Sequence, residues 1–340
     1  MTPAVDPFVG RDLLGGRFRI LEKIGQGGMS AVYTAQQTEM NRRVAVKILH
    51  PKLSARKDLV ARLRREARAM SQIHHPNVAN VFLFGELDDG AIYVVMELLE
   101  GMNLHDAIRR DGRFPVDRAL RMMISCCGAL TEAHALDIIH RDLKPENIFL
   151  CTGAGLQDFP KLLDFGLAKV TERQMQPGSL RFTGAGQVFG TPEYMSPEQA
   201  QAKKLTPASD VYSLGVILYE TLTGKLPFDS RDAVSAILQH VTDRPIPLDR
   251  RVPGLTFPPA LVDLMDRVLA KDPADRVASA AQFAGLLQAI LDGHVSRLPS
   301  QPPLPPPRPS SRRALVVAGI VVAFVVGAAI AAAVMSAILR

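Results

Sequence analysis

The chain has 340 residues, room for one large domain or two with ample core, and its composition is ordinary for a globular protein until the C-terminal end. The formal charge of +6 is modest and gathers into no basic stripe, so a nucleic-acid partner is not expected. Cys126, Cys127 and Cys151 have neither metal-ligand spacing nor the even number of a disulfide framework, which points to buried thiols in a reducing compartment.

Residues 1–15 read as a lead-in, without the basic stretch and apolar run of a secretory signal. Five strands are predicted between Phe18 and Leu98: RFRILEKIG, SAVYTAQQ, RRVAVKIL, VANVFLFGEL and AIYVVMEL. One helix, roughly Asp58–Gln72, interrupts them. Its stretch RLRREARAM has helical spacing and acidic partners and reads as a solvated face. From Asn103 to Leu291 helical periodicity dominates, as in DRALRMMISCCGALTEAHAL and SDVYSLGVILYETLTG. A small β-rich lobe before a larger helical one predicts an α+β, two-lobed domain over residues 16–290 with a cleft between the lobes.

Composition then changes twice. Residues 291–313 form a linker whose Pro-rich part, LPSQPPLPPPRPSSRR, suits extended polyproline II at roughly 3.1 Å per residue. Residues 314–339 carry no charge. As a helix they would reach about 39 Å at 1.5 Å per residue, enough for a hydrocarbon core of about 30 Å, so a single transmembrane helix is expected.

Several short stretches carry chemistry. In IGQGGMSAV, Gly25, Gly27 and Gly28 lie between two strands, where they either serve a tight turn or let backbone N–H groups approach an anion. In VAVKIL, period-two geometry puts Ala45 and Lys47 on one face, leaving room for a flat ring with an ammonium two residues on. Glu66 falls on the apolar face marked by Leu59, Leu63 and Met70, and a carboxylate there needs a cation; Lys47 is the natural one. HRDLKPEN sets six ionisable or amide-bearing residues between apolar flanks. DFG follows Leu162 and Leu163. Asn147 and Asp164 suit Mg²⁺ shared with nucleotide phosphates, and Asp142 could accept a hydroxyl proton.

The ordered set GQGGMSAV, VAVK, the helix Glu, HRDLKPEN, DFG, GTPEYMSPE, DVYSLG and PADR resembles the eukaryotic-type serine/threonine protein kinases, of the membrane-linked bacterial kind, over roughly residues 18–285. The resemblance implies ATP and Mg²⁺ as cofactors and Ser/Thr hydroxyls of proteins as acceptors. It makes Asp142 the residue that orients and deprotonates the acceptor, with Lys144 steadying the transferred group. It gives Asn147 and Asp164 the metal, and Lys47, fixed by Glu66, the α- and β-phosphates. Ile24, Gly25, Gln26, Gly27, Gly28, Met29, Ser30, Ala31 and Val32 become the nucleotide-covering loop. Val32 and Ala45 would pack on adenine, Met96 would gate the pocket behind it, and Glu97 and Leu99 would offer backbone groups to its edge.

Structural roles follow as well: an apolar column of His140, Phe165, Met70 and Val81, a tie from Asp210 to the catalytic loop, and a Glu198–Arg276 pair. Two departures are small-for-small: Ser30 stands where a third glycine is usual, and Ser196-Pro197-Glu198 replaces Ala-Pro-Glu. The intact Lys47, Asp142 and Asp164 weigh against a pseudokinase scaffold. GTPEYMSPE, with Thr191, weighs against a small-molecule kinase.

The resemblance also makes Thr183 the foremost candidate phosphosite, with Thr171 and Ser179 behind it, facing a basic pocket of Arg141 and Lys169. Arg308, Arg312 and Arg313 precede the apolar segment and only Arg340 follows, which predicts a single-pass protein of the bacterial inner membrane with its kinase domain cytoplasmic. With so little beyond that segment, either an outer sensor is lacking or the chain is a fragment. Gly319, Ala323, Gly327 and Ala331 form a small-residue stripe that leaves a homodimer open.

Overall fold

In the computed structural model the structure describes residues 6–27, 30–49, 64, 67, 70–153, 156–165 and 191–295. The apolar segment 314–339, the linker beyond Val295, Glu66, and the candidate phosphosites Thr171, Ser179 and Thr183 lie outside these residues. Among the described residues, no helix is long and apolar enough to cross a membrane.

The N-terminal lobe is one antiparallel sheet of β1 (Asp12–Leu13), β2 (Phe18–Gln26), β3 (Ser30–Gln37), β4 (Arg42–Leu49), β5 (Val81–Glu86) and β6 (Ile92–Glu97), in the order β1-β2-β3-β4-β6-β5. Strand periodicity sorts its side chains onto two faces. Ile20, Tyr33, Val44, Val46, Ile48, Tyr93 and Val95 make a separate outer cluster. Leu49, Ile92 and Val94 join the core that continues into the helical lobe. The cleft therefore lies on the face that carries Ala45 and Lys47. The lead-in contributes β1, and its Asp6 carboxylate accepts from the Tyr33 hydroxyl at 3.1 Å. The fourth expected strand, observed as β5, starts later than VANVFLFGEL suggests, because Val78 instead pairs in parallel with Leu162 of the other lobe.

The helical lobe holds α1 (Leu104–Asp111), α2 (Val116–Ala135), α3 (Pro197–Ala200), α4 (Pro207–Thr223), α5 (Ala233–Thr242), α6 (Leu248–Arg251), α7 (Pro259–Val268) and α8 (Ala280–Leu291). Helix α4 is buried on nearly every side, as its all-round apolar sequence demands. Proline at its first turn starts it, and Gly224 in the left-handed region ends it (φ 69°), where a Cβ would strike the Gly112 carbonyl. Gly215 lets α4 approach Val268 of α7 more closely than any side chain would allow. This lobe is not wholly helical: β7 (Gly101–Asn103), β8 (Ile148–Gly153) and β9 (Leu156–Leu162) form a second antiparallel sheet.

The two lobes are stitched behind the cleft. Asn77 Nδ2 donates to Pro160 O (2.7 Å), Leu162 N to Asn77 O (2.8 Å) and Ala79 N to Leu162 O (3.0 Å).

Candidate active site

Position on strands decides the upper wall. Val32 pairs with Lys47 and Ala45 with Met96, so all four residues meet the cleft from adjacent strands. Below Val32 the β2–β3 turn is closed by Gly27 N donating to Ser30 O at 2.7 Å. Ile24, Gly25 and Gln26 end β2, Gly27 follows it, and Ser30, Ala31 and Val32 open β3; Gly28 and Met29 lie outside the described residues. Gly25 and Gly27 are not in the left-handed region, and a Cβ on either would meet only ordinary contacts near 3.6 Å. The described part of the turn therefore does not demand them. Their lack of side chains favours the close approach of a ligand to the backbone over the bare-turn reading. Ser30 begins β3 in extended conformation, which explains why a third glycine is dispensable.

The lower wall is the loop after α2. Asp210, buried in the first turn of α4, accepts from His140 N (2.8 Å), Arg141 N (3.0 Å) and the His134 ring (2.8 Å). These bonds hold Arg141 at φ 66°, a conformation that side-chain-bearing residues rarely adopt. Asp142 follows, and Asn147 Nδ2 grips both its carbonyl (2.7 Å) and its carboxylate (3.2 Å). Lys144 Nζ stands 3.5 Å from the same carboxylate. Asn147 O accepts from Leu163 N at 2.9 Å, which brings the HRDLKPEN loop against Asp164.

Asp164 also has a positive φ, 51°. Its carboxylate meets Lys47 Nζ at 2.6 Å, joining the two lobes across the cleft. The expected Glu66 partner of Lys47 lies outside the described residues, so this ion pair is the one on view. Phe165 is buried against the His140 ring, with centroids 4.5 Å apart. Met70 is buried in the same core and Val81 packs against it, as the apolar column requires. Burial holds the His140 imidazole neutral by lowering its pKa, while Nε2 pairs with Leu163 O at 2.9 Å.

The donor set suits a divalent cation only in part. Asn147 Nδ2 is committed to Asp142, which leaves Oδ1 as the acceptor, and Asp164 keeps an oxygen beyond the one that meets Lys47. Among the described residues, no cluster of three His, Cys, Asp or Glu could cage a metal by itself. An ion here must complete its shell with phosphate and water oxygens, as Mg²⁺ habitually does.

Several supporting residues escape sequence reading. Lys161 Nζ clamps the Glu97 carboxylate at 2.6 Å, and Asn80 Nδ2 adds a bond of 3.3 Å, fixing the strand end just before Leu99. Gln199 Nε2 donates to Arg141 O at 2.6 Å. Ser196 caps α3: its N–H donates to Gln199 Oε1 (2.9 Å), and its hydroxyl accepts from Gln199 N (3.3 Å). Serine in place of alanine thus adds a capping box. The expected Glu198–Arg276 pair forms beside it, buried and two-pronged at 2.7 and 2.8 Å. Of these, the resemblance already implied the Glu198–Arg276 pair, and the capping pattern, Ser followed three residues later by Gln, was readable in advance; the Lys161 clamp and the Gln199 bond to Arg141 were not.

The model of the protein kinase domain family matches residues 18–286. Serine/threonine-protein kinase pkn3 of Myxococcus xanthus is 42% identical over 301 residues, covering 88% of this chain and 54% of pkn3. PknA of Mycobacterium tuberculosis is 38% identical over 292 residues, covering 85% of this chain and 64% of PknA. The chain thus spans less than two thirds of either relative. The solved Mycobacterium tuberculosis PknI kinase domain superposes with a TM-score of 0.63 at 25% identity, covering 84% of this chain and 98% of that one.

Proposed function

The chain belongs to the protein kinase family, and from that premise we propose that it transfers the γ-phosphate of ATP to serine and threonine hydroxyls of proteins. One observation carries this reading: Lys47, Asp142, Lys144, Asn147 and Asp164 converge from three separate segments on one cleft. Lys47 binds the α- and β-phosphates. Asp142, held by Asn147, orients the acceptor hydroxyl and takes its proton. Lys144 balances charge on the transferred group. Mg²⁺ held by Asn147 and Asp164 would neutralise charge on the β- and γ-phosphates. The protein supplies position and electrostatic complementarity more than covalent chemistry.

Purified protein with Mg²⁺ and labelled ATP should phosphorylate itself and a generic protein substrate on Ser or Thr. Equal labelling by Asp142→Asn would sink this reading.

The finer expectations extend it. Thr183 is the proposed autophosphorylation site, and mass spectrometry of active enzyme should find it modified. The uncharged run 314–339 supports a membrane anchor, and the arginines before it support a cytoplasmic kinase domain at the bacterial inner membrane. Full-length protein should resist salt and alkaline extraction, whereas a chain ending at Leu298 should not. The small-residue stripe supports homodimer formation through that segment, and Gly327→Leu should weaken self-association.

A further inference from the structure

A polar chain centred on the buried His240 runs beneath the turn Pro192–Tyr194. The His240 ring of α5 reaches Glu193 O through Nε2 at 2.8 Å and Tyr212 Oη through Nδ1 at 2.9 Å. Lys271 Nζ lies 3.3 Å from the same Tyr212 oxygen and 3.2 Å from Gln239 O. Phe228 closes the cage: its ring meets His240 edge-on at 4.9 Å, and the Lys271 ammonium sits 4.5 Å over it.

Hydrogen-bond capacities fix every proton in this chain. A carbonyl only accepts, so His240 Nε2 carries the hydrogen that faces Glu193. A neutral ring then accepts at Nδ1, and Tyr212 must be the donor there. The Tyr212 oxygen in turn accepts from Lys271. The order is Lys271 to Tyr212 to His240 to the Glu193 carbonyl, with no competing donor pairs. Burial, reinforced by the Lys271 charge, depresses the His240 pKa to about 3, which agrees with a neutral ring.

Glu193 lies in the stretch Thr191–Met195 that the kinase reading makes the platform for an extended protein substrate. We infer that His240 is a positioning residue for acceptor binding: backed by Tyr212 and Lys271, it pins the Glu193 carbonyl and so fixes the height and tilt of the platform turn. This inference rests on the kinase reading. Among the described residues, the bonds of the relay go to Glu193 and Gln239 and not to the β2–β3 turn, Lys47 or Asp164, so the nucleotide side keeps its own contacts. Loss of the relay should therefore separate the two substrates kinetically.

Full-length His240→Phe keeps a ring against Phe228 and removes both bonds; His240→Gln can still donate to Glu193 O. With casein as the probe, His240→Phe should raise the apparent KM for casein about fivefold, the usual effect of one buried hydrogen bond, and leave that for ATP within about twofold. His240→Gln should recover most of the loss. Tyr212→Phe, which deletes one hydroxyl, should shift the casein KM in the same direction should His240→Phe fold poorly. Imidazole nitrogen NMR shifts should show a neutral ring protonated on Nε2 from about pH 5 to about pH 8. A His240 that titrates in that range, or carries its proton on Nδ1, overturns the inference whatever the activity. So does an active wild type whose casein KM is indifferent to His240→Phe, or one in which both Michaelis constants rise alike. A wild type that transfers no phosphate overturns the kinase reading instead, and the NMR readout still judges the relay.

Discussion

The Asp210 carboxylate accepts a hydrogen bond of 3.0 Å from the backbone N–H of Arg141, tying the first turn of α4 to the residue just before Asp142. His140 N and the His134 ring share that carboxylate. Asp210→Asn replaces one acceptor oxygen by a donor, so an incoming N–H meets another N–H. A charge-assisted bond of this kind contributes about 1.5–3 kcal/mol, which converts to a loss of roughly 10- to 100-fold in phosphoryl transfer. Steady-state rates test it. An unchanged rate would mean that the Arg141 conformation does not depend on Asp210.

Lys47→Met should behave differently. The ammonium bridges the cleft to Asp164 and lies outside the main packing, so folding should change little while transfer falls by about 100-fold or more, the scale seen for loss of one electrostatic stabiliser. Activity and thermal midpoint measured on one preparation distinguish this from general damage. A large fall in the midpoint would refute the assignment of Lys47 to chemistry.

Glu198→Ala should do the reverse. Its partner Arg276 has no exposed side-chain surface, so truncation leaves a buried charge, at a cost of about 3–5 kcal/mol. Glu198→Gln keeps one acceptor and should cost clearly less. Equal denaturation midpoints for the two variants would contradict the pairing.

Acid stability should report on His240. Its pKa is lowered from 6.5 to about 3, so the unfolded chain binds a proton that the folded ring refuses. Stability is then complete above about pH 6.5 and falls as pH drops toward 3, by at most ~1.4 kcal/mol per pH unit. Lys271, lowered from 10.5 to about 7 by burial, acts in another window: its contribution is complete above pH 10.5 and is lost as pH falls toward 7. Denaturant titrations should show His240→Gln flattening only the acid slope. Parallel slopes for variant and wild type below pH 6 would dismiss this linkage.

Much of this was legible in the sequence. Alternation in RRVAVKIL places Ala45 and Lys47 together on the cleft face; of the apolar flanks of HRDLKPEN, Ile148 and Leu150 are buried and Ile138 is partly buried against the same core. Strands β7–β9 were not, because three short segments with Gly, Thr and Pro lack a run long enough to beat the helical periodicity around them. Nor was the Lys161–Glu97 clamp: one lysine in a strand says nothing about a carboxylate 64 positions earlier until the lobes are assembled. His240 is harder still. A histidine on the inner side of a helix resembles any core filler, and its two hydrogen-bond partners come from distant segments.

The seam behind the cleft limits how the lobes can move. Asn77, Ala79 and the paired Val78 and Leu162 bind one lobe to the other, Lys161 and Glu97 add a salt bridge between β9 and β6, and Lys47 and Asp164 form another across the cleft. Separating the lobes by translation would break the seam and expose its backbone groups; rotation about it would keep the seam and part the Lys47–Asp164 ion pair. The molecule therefore opens like a jaw. Nucleotide entry and product departure should share that single swing, and distance probes at the lip should report large excursions while a pair flanking Asn77 and Pro160 stays still.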